Sequence, residues 1–114
     1  MLLLGVTESS AGAAKPEWQA EWDKTLAAAE KEGQVTVYGP PGKTYQDAIS
    51  AFQSSFPKIK LVYVSGSGTA NSQRLVTERR AGKFLADAFI GGSGSMIEIL
   101  FDGNLLEPMP PLLL

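Results

Sequence analysis

The stretch Gln34-Val35-Thr36-Val37-Tyr38-Gly39-Pro40-Pro41-Gly42-Lys43-Thr44 decides the fold. Residues 35–38 are β-branched or aromatic, which suits a strand, and Gly39-Pro40-Pro41-Gly42 ends it. Tyr45, Ala48, Ile49, Phe52 and Phe56 then recur on one face of a helix, which Pro57 closes. A strand that runs through a loop of small residues straight into a helix is the first half of a βαβ unit.

The same passage occurs twice more. Ile59 to Val64 is nearly all apolar and reads as a strand buried on both faces; it leads through Ser65-Gly66-Ser67-Gly68-Thr69 into a helix carrying Leu75 and Val76 and ending near Gly82. Ala86 to Ile90 reads as a third strand. It leads through Gly91-Gly92-Ser93-Gly94-Ser95 into a short helix with Met96, Ile97, Leu100 and Phe101, stopped by Gly103-Asn104. Upstream, Pro16 opens a helix in which Trp18, Trp22, Leu26 and Ala29 share one face, and Gly33 ends it. The two tryptophans are expected to anchor that helix on the core.

The order helix, then β-α-β-α-β-α, predicts an α/β fold: three layers, α/β/α, around a mostly parallel sheet. Three strands make a thin sheet, so an exposed edge prone to association is expected. Right-handed crossovers carry all three small-residue loops to one edge and bring three helix N-termini together. Unpaired N–H groups there favour an anion or an oxygen-rich solute. Ser65, Ser67 and Thr69 offer hydroxyls, and Lys43 can balance an anion at the mouth of the first loop.

Composition narrows the function. The chain has 114 residues, 44% hydrophobic and 19% charged, enough for one small domain with a core. A net charge of -2 gives no basic face for nucleic acid. Cysteine and histidine are both absent, which removes thiolate chemistry, the commonest metal ligand and the commonest general base. Asp47, Asp87, Glu98 and Asp102 show no paired-carboxylate spacing, and Glu78-Arg79-Arg80 reads as a solvated cluster at a helix end. No enzymatic role is assigned.

Two phosphate-binding motifs fail on spacing. Gly39 to Thr44 ends in Gly-Lys-Thr, but a P-loop needs four residues between its glycines, and its first glycine would fall at Val37. Ser65 to Gly68 lacks the third glycine of a dinucleotide fingerprint, and no acidic residue closes the following strand.

Both ends read as cut. Residues 1–14 finish in Ala11-Gly12-Ala13-Ala14, the small-residue character of an export-signal cleavage site, and are expected to be an export-signal remnant or a disordered tail. Residues 15–114 are expected to be the folded part. Leu112-Leu113-Leu114 follow an extended, proline-rich segment and leave the chain to finish on uncovered apolar residues.

The segments Trp22 to Leu26, Glu32 to Tyr38, Phe52 to Pro57, Gln73-Arg74-Leu75, Glu78-Arg79 and Ala81-Gly82-Lys83, with Gly103 to Pro108, resemble the opening lobe of bacterial extracellular solute-binding proteins. The nearest group is the iron(III)-type receptors of ABC importers. The resemblance runs from Pro16 to Leu114 and rests on the order of these segments. It implies the N-terminal part of a periplasmic-binding-protein type II lobe, with the second lobe absent. It implies a periplasmic or lipid-tethered receptor, monomeric at full length, that holds solute between two lobes and presents it to a membrane permease. Ligand contacts implied for this lobe are Pro40, Pro41, the Ser67-Gly68 loop and the Gly92-Ser93 loop. Iron-binding members use tyrosines from the second lobe, and often a histidine or acidic residue from the first. This chain has no histidine, which counts against iron(III) itself and leaves other solutes, such as phosphonates, polyamine-like compounds or thiamine-type cofactors, open as cargo beside it. Two rivals are a nucleotide- or phosphate-binding enzyme domain and a small self-associating α/β interaction domain.

Overall fold

The computed structural model describes residues 16–108. The expectations for residues 1–14 and for the terminal leucines fall outside them. Helix α1 (Glu17–Glu32) starts after Pro16, whose carbonyl accepts the Gln19 N–H at 2.9 Å. It stops at Gly33, which is left-handed at φ 77° and returns its N–H to Ala29. Strand β1 (Gln34–Gly39) follows, then α2 (Lys43–Ser55), β2 (Lys60–Ser65), α3 (Gly68–Arg80), β3 (Ala88–Phe89) and a short π-helix (Ser95–Phe101).

The three strands are parallel in the order β2-β1-β3. β1 pairs with β2 from Gln34↔Lys60 to Gly39↔Ser65, and with β3 through Val37↔Ala88 and Tyr38↔Phe89. The molecule is thus mixed α/β around a parallel sheet, as the alternation of elements predicts. The step from β1 to β2 and the step from β2 across to β3 run in opposite directions. Right-handed crossovers therefore place α2 and α3 on opposite faces of the sheet. α3 covers the face of β1 that carries Tyr38, whose hydroxyl donates to both oxygens of Glu78 at 2.7 and 2.9 Å. The core gathers around this central strand: Val37, Tyr38, Ile59, Leu75 and Leu100 are buried.

Three elements differ from their sequence reading. β2 is not buried on both faces: Ile59 is buried, but Leu61 to Val64 are half-buried because this strand is an edge of the sheet. Gln53 on α2 closes part of that edge, accepting the Leu61 N–H at 2.7 Å and donating to the Ile59 carbonyl at 2.8 Å.

β3 is two residues long rather than the five from Ala86 to Ile90. The Asp87 carboxylate accepts the Thr36 N–H at 2.8 Å, standing where a backbone carbonyl would continue the ladder. Chain contact continues on both sides of it, through Asp87 N–H to Thr36 O and Ile90 N–H to Tyr38 O.

Trp18 and Trp22 are not core anchors. They are 56% and 50% exposed, and α1 has no buried residue. Helical spacing sets an apolar stripe, but a stripe is buried only where another element covers it. Here the cover is partial: Trp22 meets Phe56 edge-on at 6.2 Å, and Phe52 lies 4.8 Å from Phe56.

Candidate functional site

Parallel pairing in register brings the carboxyl ends of β1 and β2 level at Gly39 and Ser65, with β3 ending beside Tyr38 at Phe89. The three loops therefore open on one edge, as expected. In a sheet of this order the chain reverses direction between β1 and β3, the place where open α/β sheets leave a crevice for ligand. The loop after β1 and the loop after β3 flank it. Of the three helix N-termini expected there, two belong to α-helices and the third to the seven-residue π-helix. Its bonding is i→i+5, as in Asp102 N–H to Ile97 O at 3.2 Å, and Asn104 at φ 55° turns the chain out of it.

The first two loops are tied together. Gly66 N–H donates to Gly39 O at 3.0 Å. Asn71, on the first turn of α3 and buried, directs its amide nitrogen at the carbonyls of Gly39, Val64 and Gly66, at 3.2, 3.4 and 3.3 Å. The Tyr63 hydroxyl donates to Pro40 O at 2.7 Å. Its ring occupies the space a Cβ on Gly39 would need, with Cζ 2.8 Å from that position, so the strand end admits only glycine without rearrangement. The second and third loops meet where Gly68 lies against Ser95, whose Oγ is 2.5 Å from the position of a Cβ there.

Among the expected contact residues, Pro40 is half-buried with its carbonyl held by Tyr63, while Pro41 is exposed. Ser67 is the exposed N-cap of α3; its oxygen accepts the Ala70 N–H at 3.2 Å, and its O–H stays able to donate. Gly68 is half-buried beside it, and Thr69 is exposed. Gly92 and Ser93 are exposed on the third loop, and the Gly92 carbonyl accepts the Met96 N–H at 3.1 Å. Lys43 is 85% exposed and paired with Asp47, one turn along α2, so its charge is turned along the helix surface. Gly42, at φ 124°, holds a conformation L residues rarely adopt and sets the entry into α2.

Glu78, expected in a solvated cluster at the end of α3, is instead half-buried against β1, where its carboxylate accepts the buried Tyr38 hydroxyl. Burial raises the Tyr38 hydroxyl above its ordinary value, the Glu78 hydrogen bond and negative charge reinforce the rise, and Arg74 offsets part of it. Arg74 lies 5.9 Å from the centre of the Tyr38 ring. Burial also raises Tyr63, with Tyr45 adding to it. Both phenols are therefore held as neutral donors. Asn71 and Tyr63 join the loops through partners remote in sequence. Asn71 bonds Gly39, 32 positions away, and Tyr63 bonds Pro40, 23 positions away, so no local motif announces either.

An open groove of about 740 Å³ lies between α3 and the π-helix. It is lined by Val76, Arg80, Glu98 and Asp102 among others, toward the C-terminal end of α3 and away from the loops. Among the described residues no group of three or more acidic side chains could hold a metal ion, and no helix is long and apolar enough to cross a membrane. No protein-family model matches the chain, and no curated protein matches it either.

Proposed function

We propose that this chain supplies one wall of a solute-binding cleft in an extracytoplasmic receptor of an ABC importer. It belongs to the N-terminal part of a periplasmic-binding-protein type II lobe and captures a small anionic or metal-chelate solute. The observation that carries the reading is the β2-β1-β3 order with three small-residue loops on one carboxyl edge. That arrangement presents N–H groups and hydroxyls at a crevice, which suits capture of an anionic or oxygen-rich solute. Delivery to a membrane permease follows from the same resemblance.

A cleft buries most of its solute only between two walls, so this wall alone binds weakly. Titration of the full chain with inorganic phosphate, a phosphonate, ferric citrate and thiamine, followed by backbone amide NMR, tests this. The expected result is weak, non-saturating shifts confined to residues 39–44, 66–69 and 91–95. Submicromolar binding by the chain alone, or shifts centred elsewhere, would overturn it.

One observation favours a second reading, a self-associating interaction domain. Phe84 and Phe101 are 71% exposed, with Leu85 and Ile97 also more than half exposed. A discrete dimer in sedimentation velocity supports that reading; heterogeneous association supports the single-wall reading.

A further inference from the structure

Asn71 is 3% exposed, yet its partners are all backbone, and they come from separate segments: the end of β1, the end of β2 and the loop into α3. Two amide hydrogens serve three carbonyls, so one bond is shared. Gly66 is shaped to this side chain. Its φ is not left-handed, but a Cβ there would come within 2.7 Å of Asn71 Oδ1 and 3.1 Å of its Cγ. The glycine serves to admit the amide rather than to bend the chain.

The geometry points to Asn71 as the positioning residue that locks the β1–α2 and β2–α3 loops into one wall of the candidate cleft, an inference that rests on the reading of that edge as a solute site. The carbonyls of Gly39 and Gly66 are held by a donor behind them. The wall is thereby ordered before solute arrives, and solute met by one loop meets the other in fixed register. Such pre-ordering lowers the entropy cost of binding. Tyr63 extends the same lock by holding the Pro40 carbonyl.

The test is amide hydrogen exchange on the full chain without solute, read at Gly39, at position 66 and at Gln46, whose N–H donates to Gly42 O, with Val35 and Val62 in the central ladder as references. Asn71→Asp keeps the shape of the side chain and removes its donor. Gly66→Ala keeps Asn71 and crowds it from the second loop. Both variants are expected to speed exchange at Gly39 and Gln46 as well as at position 66, by about tenfold, the scale of one hydrogen bond, with the references unchanged. Should Asn71→Asp fail to fold, Gly66→Ala is read instead, because the atoms nearest to its added methyl all belong to Asn71. Acceleration confined to position 66, or spread evenly over the references, would overturn the inference. Since no solute is present, that outcome is separate from any failure of the cleft to bind one.

Discussion

Helix α3 and helix α1 invert the usual relation between pattern and burial. α3 carries the polar run Asn71-Ser72-Gln73-Arg74 and the weakest apolar face of the three α-helices, yet it buries Asn71, Ser72 and Leu75. α1, with a tryptophan stripe, buries nothing, and neither does α2 with Tyr45, Ile49 and Phe52. The difference lies in topology. The connection from β2 to β3 must pass over β1, so α3 rests on a strand with neighbours on both sides. α2 joins the central strand to an edge, and α1 meets the rest of the molecule through Trp22 on Phe56 and the Lys58–Glu30 pair. Small polar residues let α3 approach the sheet closely, and hydrogen bonds to backbone satisfy Asn71 there.

The comparison breaks if burial and stability do not travel together. Leu75→Ala, at a site 4% exposed, is expected to lower unfolding free energy by about 2–5 kcal/mol, the range for a core leucine. Trp18→Ala removes a larger side chain that is more than half exposed, and is expected to cost under about 1 kcal/mol. Urea unfolding followed by circular dichroism measures both. A Trp18 variant as damaging as the Leu75 variant would mean that α1 is covered in solution by something on its tryptophan face.

The second test uses pH. Tyr38 is raised above its unfolded value of 10.0, so the folded state keeps its proton at a pH where the unfolded chain has lost it. Its contribution to stability is complete below 10 and is lost as pH rises through the folded value. Tyr63 acts in the same direction. Stability is therefore expected to fall on the alkaline side of 10, and Tyr38→Phe to make that fall shallower without abolishing it. At neutral pH the same variant leaves the Glu78 carboxylate without its phenol donor, at a cost of about 1.5–3 kcal/mol. An alkaline limb identical in wild type and variant would show that Tyr38 is not held as drawn.

Much of the fold was legible because strand-to-helix passages are local. Val35 to Tyr38 and the Gly39–Gly42 loop announce β1 and its exit within a dozen residues, and the three loops share an edge once the strands are parallel. What stayed hidden depends on partners distant in sequence. Asp87 reads as one of several scattered acids, yet it replaces a ladder carbonyl opposite Thr36, 51 residues away. Asn71 reads as a polar helix residue, yet it holds three carbonyls from two strand ends and a loop. Trp18 and Trp22 show the opposite failure: their periodicity is real, but periodicity carries no information about what covers a face. For the site, the loops were legible and their internal wiring was not. Ser67 and Lys43, chosen for their chemistry, turn out to be engaged with Ala70 and Asp47.

The finest distinction within α3 separates its neighbouring buried polar residues. Asn71 is satisfied, whereas the Ser72 hydroxyl is fully buried with no hydrogen-bond partner among the described residues. If small size is what the close approach of α3 to the sheet requires, the serine oxygen is dispensable and its burial is unfavourable. Ser72→Ala is then expected to be neutral or to stabilise by up to about 1 kcal/mol, while raising helix propensity slightly. Ser72→Val, which adds bulk at the same point, is expected to destabilise through overpacking. Thermal unfolding of the two variants side by side separates size from polarity. A clear loss of stability in Ser72→Ala would mean that the hydroxyl has found a partner, and that α3, like the loops it supports, is held by hydrogen bonding at Ser72 as well as at Asn71.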